Sequence, residues 1–330
     1  MRKLLLSSTA LASAAVLTAN IAVADVSISA ATEWKYMSTS SQVTAEDGTE
    51  FGTDSEIAFK FSNKTDSGLT IGYVVELESD ATTAGGANNM VDESSLSISG
   101  GFGKIVLGMN DGVGDNYGIE AEDAVAEEQA PTLASATIGQ DTDISISSND
   151  SNKVAYHLPA MGGFTAGASF EDSGQAGSSD ITAYGFNYKM EAAGNTITIG
   201  GATATKEVAT KDTDHQNLGV KIVSGNLTFI AAQSSKEAVD EDINSTGAGV
   251  SYKMANGMVL GAYTMKSEDD LDAGEEYSSS GVEVQYTIAA GLTAVINVDD
   301  YDYKVGTNRD GTSTVSDSGT ISKLTLKASF

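Results

Sequence analysis

Apolar and polar residues alternate with a period of two along most of the chain. In the segment LTIGYVVELE, Ile71 and Tyr73 lie on one side and Thr70 and Gly72 on the other. Successive side chains of a strand point to opposite faces, so this pattern predicts strands with one apolar and one polar face. Similar segments recur from residue 26 to residue 330.

Short and long connections alternate between these predicted strands. The short turns contain Gly or Asn and fall at 63–68, 100–103, 159–163, 191–195, 224–226, 255–257 and 289–291. The longer connections are rich in Asp, Glu, Ser, Thr and Gly and fall at 38–54, 79–90, 111–150, 171–180, 206–215, 236–244, 268–277 and 302–318. Together they predict about sixteen strands joined as hairpins.

Short turns at one end and long loops at the other are typical of a transmembrane barrel of a bacterial outer membrane. Every backbone N–H and C=O group in hydrocarbon must be paired within the protein, so a spanning sheet has to close on itself. We therefore predict an all-β fold, a 16-stranded antiparallel transmembrane β-barrel. Its first strand, near Val26, is expected to pair with a last strand that ends at Phe330.

The position of charged residues supports a polar lumen. Lys153, Lys189, Lys221 and Lys253 all fall on the face opposite the apolar set of their strands. A lysine on the lipid face would cost about 2–4 kcal/mol at mid-membrane. A half-buried sheet of a soluble protein also alternates, but a polar face on almost every strand favours the barrel.

The first 24 residues have the pattern of a secretory signal peptide. Arg2 and Lys3 precede an apolar stretch at 4–17, and Ala22-Val23-Ala24 has the small-x-small pattern of a cleavage site. We expect cleavage before Asp25 and a barrel domain over 25–330. After residue 24 there is no run of 18 apolar residues that would predict a transmembrane helix.

Composition excludes several other classes of protein. The chain has no Cys, and 46 acidic against 18 basic residues give a net charge of -28, which disfavours binding to nucleic acid. His157 and His215 are the only histidines and form no evident acid–base or metal cluster. Glycine-rich pieces lack the strand-to-helix context of phosphate loops. We therefore predict no enzymatic activity and no required cofactor.

Three segments carry a resemblance to a known family: GFGKIVLG at 101–108, SNKVAYHLPAMGGFTAGASF at 151–170 and the final LTLKASF. With them the chain resembles the general bacterial porins, in particular their α-proteobacterial, Rhodobacter-like branch. The resemblance implies a homotrimer in the outer membrane of a Gram-negative bacterium, in contact with lipid and lipopolysaccharide. It also implies that the outer-membrane assembly machinery recognises Phe330. Ions and small hydrophilic solutes are expected to pass through the pore passively, without a catalytic step.

The resemblance further implies that the loop between strands 5 and 6, about 111–150, folds inward and narrows the pore. Its candidate constriction carboxylates are Asp111, Asp115, Glu120, Glu122, Asp123, Glu127 and Glu128. Porins of this type commonly place arginines opposite, but Arg309 is the only arginine after residue 24 and lies in a predicted outer loop. The candidate lumen-wall cations are lysines, above all Lys35, Lys60, Lys104 and Lys153, and we expect a preference for cations.

Other interpretations of the sequence stay open. Calcium takes oxygen ligands, so Asp111 and Asp115 in NDGVGDN are a candidate Ca²⁺ site. Outer-loop carboxylates could also be bridged to lipopolysaccharide by divalent ions. The alternative functions are a substrate-selective outer-membrane channel and, from a different class, a secreted acidic surface protein or adhesin whose loops bind Ca²⁺.

Overall fold

The structure is a computed structural model that describes residues 25–42, 47–78, 91–127, 142, 151–172, 179–208, 211–305 and 316–330. The predicted signal peptide, 1–24, lies outside the described residues. No helix in the described part of the chain is long and apolar enough to cross a membrane.

The described residues form sixteen strands in chain order. They are β1 Asp25–Ser41, β2 Gly48–Lys64, β3 Thr70–Glu78, β4 Val91–Gly100, β5 Gly103–Met109, β6 Asn152–His157, β7 Phe164–Glu171, β8 Ile181–Ala192, β9 Asn195–Lys206, β10 Thr213–Ser224, β11 Leu227–Glu237, β12 Asp242–Lys253, β13 Val259–Asp269, β14 Glu276–Ala289, β15 Leu292–Lys304 and β16 Asp317–Ser329. A short helix, α1 Val113–Tyr117, and a 3₁₀ turn, Glu122–Ala124, lie between β5 and β6.

The sheet is a closed barrel in which each strand pairs antiparallel with its two neighbours. β1 and β16 pair from Ala31–Ser329 to Ser41–Gly319. Beyond that ladder the amide of Phe330 donates to the carbonyl of Ala30 at 2.9 Å, and the amide of Ala30 donates back at 3.3 Å. The predicted all-β fold with sixteen antiparallel strands is therefore confirmed.

Apolar side chains cover the outside of the barrel. Val282, Tyr184 and Ile296 are 60%, 56% and 55% exposed, respectively, although all three are large and apolar. On the inward face of the same wall Asn297 and Asp299 are completely buried. An apolar outside around a polar inside suits a bilayer and does not favour the alternative of a secreted soluble surface protein.

Several strands extend further than the sequence predicts. β1 continues to Ser41 and β2 begins at Gly48, within the predicted connection 38–54. β11 and β12 likewise reach Glu237 and Asp242, within the predicted connection 236–244. At these outer ends most residues on both faces are polar, with exceptions such as Phe51 and Ile243, so the alternation weakens while the ladder of backbone hydrogen bonds continues. Periodicity therefore marks the lipid-spanning part of a strand better than its end.

Two neighbouring positions on β12 test which face meets lipid. Val250 belongs to the outward set and Ser251 to the inward set. We expect Val250→Lys to lower the free energy of unfolding in lipid vesicles by about 2–4 kcal/mol, because the ammonium group would lie in hydrocarbon. Ser251→Lys is the matched control and should cost less than about 1 kcal/mol, since the lumen hydrates it. Equal losses in denaturant titrations would contradict the assignment of the two faces.

Candidate functional site

The loop that follows β5 folds into the barrel. Its described part is 110–127 with Thr142. The amide of Val113 donates to Ser169 Oγ of β7 at 3.2 Å, and the amide of Ile119 donates to Asn217 Oδ1 of β10 at 3.1 Å. Both partners are buried residues of the inward-facing wall. The predicted inward-folded loop is thus observed over its described residues.

Local hydrogen bonds shape the first turn of the loop. The carboxylate of Asp115 accepts the amide N–H of Gly112 at 3.0 Å, and Asn116 Nδ2 donates to the carbonyl of Gly112 at 2.7 Å. The first bond satisfies an amide that the helix leaves without a partner, and the second adds to the backbone bond from Asn116 to the same carbonyl at 3.3 Å. Tyr117 ends the helix, and its hydroxyl lies 3.0 Å from His157 Nδ1.

Glycines on the inward face of the barrel let the loop lie directly against the wall. A Cβ atom at each of these positions would come within 3.0 Å of loop atoms, and they are Gly167, Gly185, Gly200, Gly219, Gly247, Gly249 and Gly261. At Gly219 the added Cβ would lie 2.6 Å from both Cβ and the carbonyl oxygen of Ile119. Ile119 also packs with Ala124 and with Ile230 of β11 in a buried apolar cluster. Close backbone approach thus fixes the path of the loop.

A buried lysine holds the start of the loop. Lys153 of β6 is 4% exposed, and its ammonium group donates to the carbonyl of Asn110 at 2.6 Å. The carboxylate of Glu171 on β7 lies 4.0 Å from the same nitrogen. The positive charge therefore lies between a loop carbonyl and a wall carboxylate.

Ala126 and Glu127, here called the loop tip, are the end of the continuous described stretch and are held by the opposite part of the wall. The carboxylate of Glu283 on β14 accepts the amide of Ala126 at 2.9 Å and the amide of Glu127 at 2.8 Å. The carboxylate of Glu127 in turn forms ion pairs with Lys323, at 2.5 Å, and with Lys327 of β16. Charge-assisted hydrogen bonds of this kind are stronger than neutral ones. The loop is therefore attached at both ends of its described stretch.

An ion-pair chain continues from the loop tip across the seam of the barrel. Lys327 lies 3.0 Å from Glu33 of β1, which lies 3.0 Å from Lys35. Lys35 also lies 3.6 Å from Asp54 of β2. With Glu127 and Lys323, the chain contains three carboxylates and three ammonium groups, so its formal charge is zero.

Burial and ion pairs shift the pKa values of two loop carboxylates in opposite directions. Burial alone would raise the pKa of Glu127, but the ion pairs with Lys323 and Lys327 outweigh it and hold that pKa below the ordinary value. For Glu122 burial prevails and raises the pKa, although the hydroxyl of Thr142 donates to its carboxylate at 2.6 Å. Glu127 is therefore a charged anchor within the protein.

The candidate constriction carboxylates differ in their exposure to solvent. Asp111 and Asp123 are exposed, and Asp115 and Glu120 are half-buried. Glu122 and Glu127 are buried against the wall. Glu128 lies outside the described residues.

The candidate wall lysines also differ in position. Lys35 and Lys60 face the lumen and pair with carboxylates, Lys60 with Glu76 at 3.5 Å. Lys104 is exposed close to the short turn that precedes β5, and Lys153 is buried below the loop.

Sequence reasoning did not connect Glu33, Glu283 or the glycines of the wall with the loop. It counted Lys323 and Lys327 among the possible wall cations but preferred Lys35, Lys60 and Lys104 for the depth of the pore. A usable signal was present for the glycines, because glycine inside a strand weakens it and often marks close approach by another backbone. Pairs such as Glu127 with Lys323 carry no such signal, since they depend on where the loop crosses the barrel.

Comparison with family models identifies the chain. The model described as Gram-negative porin matches residues 8–329. The chain belongs to the Gram-negative porin family. It is accordingly a channel protein of the outer membrane, and the predicted resemblance to general bacterial porins is confirmed.

Solved structures show the same fold at low sequence identity. An anion-selective porin from Comamonas acidovorans matches with a TM-score of 0.65 and 15% identity over 93% of this chain and 100% of that chain. OmpT of Vibrio cholerae, in its trimer form, matches with a TM-score of 0.68 and 13% identity over 93% of this chain and 99% of that chain. A mutant of the Rh. blastica porin matches with a TM-score of 0.68 and 14% identity over 93% of this chain and 100% of that chain. A comparison with curated proteins finds none that matches.

The glycine contact predicts that one added methyl group displaces the loop of this porin. Gly219→Ala would place Cβ against Ile119, and overpacking of this kind costs about 1–3 kcal/mol. We expect a changed single-channel conductance in planar bilayers. Gly52→Ala is the control, because its Cβ would meet only Lys35 Cβ, at 3.8 Å. Unchanged conductance in both variants would contradict the proposed contact.

The ion pairs of Glu127 predict that its charge holds the loop tip. Glu127→Gln should weaken docking by about 3 kcal/mol, because Lys323, whose side chain is largely buried, loses the carboxylate with which it forms its ion pair among the described residues. Open-channel current noise should rise in planar bilayers. Asp123→Asn removes the same charge from an exposed position of the same loop and should leave the noise unchanged.

The lowered pKa of Glu127 sets the direction of the pH dependence. Stabilisation from a depressed carboxyl pKa is fully present above the ordinary value of 4.5 and is lost as the pH falls through the lowered value. Noise in the unmodified porin should therefore stay constant down to pH 4.5 and rise only below it. A rise that begins near neutral pH would show that another group controls the loop.

Proposed function

We propose that this porin is a general diffusion pore that passes ions and small hydrophilic solutes and prefers cations. The observation that supports the preference is the asymmetry between loop and wall. The loop presents carboxylates to the lumen, and no lysine or arginine occurs at 111–150. Lys35 and Lys327, which face the lumen near the loop tip, are compensated by carboxylates in the neutral ion-pair chain.

Carboxylates also accumulate around the start of the loop. Asp111 is open to the lumen but enclosed by the barrel, and this enclosure raises its pKa. Lys153 opposes the increase, whereas the negative charges of Glu76 on β3 and Asp92 on β4 add to it. The like charges on loop and wall create a negative potential in this part of the lumen.

The size of the effect follows from Coulomb's law. Two unit charges about 8 Å apart in water interact by about 0.5 kcal/mol, and more where water is restricted. An excess of two or three carboxylates would favour a monovalent cation by about 1 kcal/mol, a several-fold enrichment. Salt screens charges over about 8 Å under physiological conditions, so carboxylates in the lumen contribute more than those of outer loops.

Shared fold does not decide selectivity. The Comamonas porin is described as anion-selective, yet it shares only 15% of its sequence with this chain. The sign of the preference depends on the residues that line each lumen. Here those residues favour cations in our proposal.

The remaining parts of the proposal concern partners. We infer a homotrimer, by analogy with the trimer form of the Vibrio protein. Contacts with lipid and lipopolysaccharide, and recognition of Phe330 by the assembly machinery, belong to the same proposal, which includes no catalytic step. Calcium at Asp111 and Asp115 stays a prediction, and the described residues contain no group of three metal-ligating side chains.

Reversal potentials across a salt gradient test the preference. We expect a sign that reports cations, and the double variant Asp111→Asn with Asp123→Asn should lower the cation-to-anion permeability ratio about two- to threefold. Asp270→Asn, in an exposed outer turn, is the control and should change the ratio little at physiological salt. Anion preference in the unmodified porin would refute the proposal.

A further inference from the structure

A groove of about 530 Å³ lies across the outside of β8–β12. Its outward-facing lining includes Tyr184, Phe186, Leu218, Gln216, Gln233 and Asn244. The floor is low at Gly201, which has no side chain between Phe186 on β8 and Leu218 on β10. The groove is thus a feature of the barrel surface and does not belong to the pore.

Strand pairing orders the lining into two rows. Tyr184, Thr203 and Gln216 lie side by side on β8, β9 and β10, and the row continues to Ser235 and Asn244. The second row contains Phe186, Gly201 and Leu218 and continues to Gln233 and Thr246. Aromatic and aliphatic side chains therefore occupy one end of the groove and amides and hydroxyls the other.

The groove lies where the outward face changes from apolar to polar. On β10 the outward residues Ile222, Val220 and Leu218 are followed by Gln216 and then Asp214. β11 changes in the same way after Ala231 and β12 after Ala248. The long-loop end of such barrels faces the exterior, so this level corresponds to the headgroups of the outer leaflet.

The lining is uncharged, although the chain carries a net charge of -28. Asp214 and Asp270 lie beside it toward the loops. Lys266 of β13 lies next to Thr246, but its charge is compensated by ion pairs with Glu268 and Glu276. Such surroundings disfavour a phosphate group. Amides offer both donors and acceptors, and an aromatic ring offers a flat apolar face, a combination that suits the hydroxyls and the apolar face of a sugar ring.

The geometry points to a binding groove for the carbohydrate headgroup of an outer-leaflet glycolipid. Sugar hydroxyls pair with Gln216, Gln233 and Asn244 and a ring packs on Tyr184, which is 56% exposed. The first part of the acyl chain lies along Phe186 and Leu218. The bound lipid thereby covers a polar part of the outer wall at the level of the headgroups.

Native mass spectrometry of porin purified from outer membranes tests the groove. The variant Gln216→Leu with Gln233→Leu keeps side chains of similar size but removes their hydrogen-bonding groups, and leucine is tolerated on a lipid-facing surface. We expect it to carry at least fivefold less co-purified glycolipid than the unmodified porin, with unchanged conductance. Thr264→Val with Ser280→Val, outward positions of β13 and β14 near the same level, is the matched control and should keep its glycolipid. Equal glycolipid in the unmodified porin and the glutamine variant, or an equal loss in the control, would overturn the proposal.

Two further measurements distinguish the occupant. Dodecyl maltoside should raise the thermal unfolding midpoint of the unmodified porin above its value in a zwitterionic detergent of equal chain length, and the glutamine variant should lose that difference. The chain has no cysteine, so Gln233→Cys can carry a single photo-crosslinker. Crosslinks to glycolipid support the proposal. Crosslinks to a second copy of the chain, or a maltoside effect that persists in the glutamine variant, overturn it.

Discussion

Pairing of backbone groups in hydrocarbon is the constraint on which the structure depends. A membrane-spanning sheet can have no free edge, so β1 has to meet β16 and the amide and carbonyl of Phe330 bond to Ala30. Closure separates two faces that the chain must satisfy in alternate residues. The outside becomes apolar, and polar side chains are confined to the lumen, to the outer rim and to local exceptions such as the groove over β8–β12. The pore is a consequence of this separation.

The same constraint applies on a smaller scale to the loop inside the barrel. A loop enclosed by walls loses part of its access to water, so its amides need partners in the protein. Ser169, Asn217 and Glu283 supply them from three different strands. The glycines of the inner wall let backbone approach backbone, and the ion pairs of Glu127 hold the tip. The described part of the loop and the barrel wall are therefore packed together as one unit.

Local periodicity predicted the barrel because alternate residues of each strand face lipid and lumen, and their polarity differs accordingly, as for Ile71 and Thr70. It predicted strand ends poorly where both faces meet water, as at Ser41 and Gly48. The loop contacts were beyond its reach, since Glu127 and Lys323 are brought together only by closure of the barrel and the path of the loop. Low similarity to other porins has the same cause. Many sequences satisfy the alternation, whereas the lining of each lumen is specific.

Charge in the lumen has to be counted by position and not by composition. Glu127 and Asp123 lie in the same acidic loop, yet the first is buried in ion pairs and the second is exposed. A carboxylate that neutralises Lys323 and Lys327 contributes little net field in the pore, although without it those lysines would favour anions. Under the proposed cation preference, the buried acid acts indirectly, by cancelling wall cations, while the exposed acids act directly. The net charge of -28 alone cannot predict a permeability ratio, because the sign and size depend on how many carboxylates remain after this internal neutralisation.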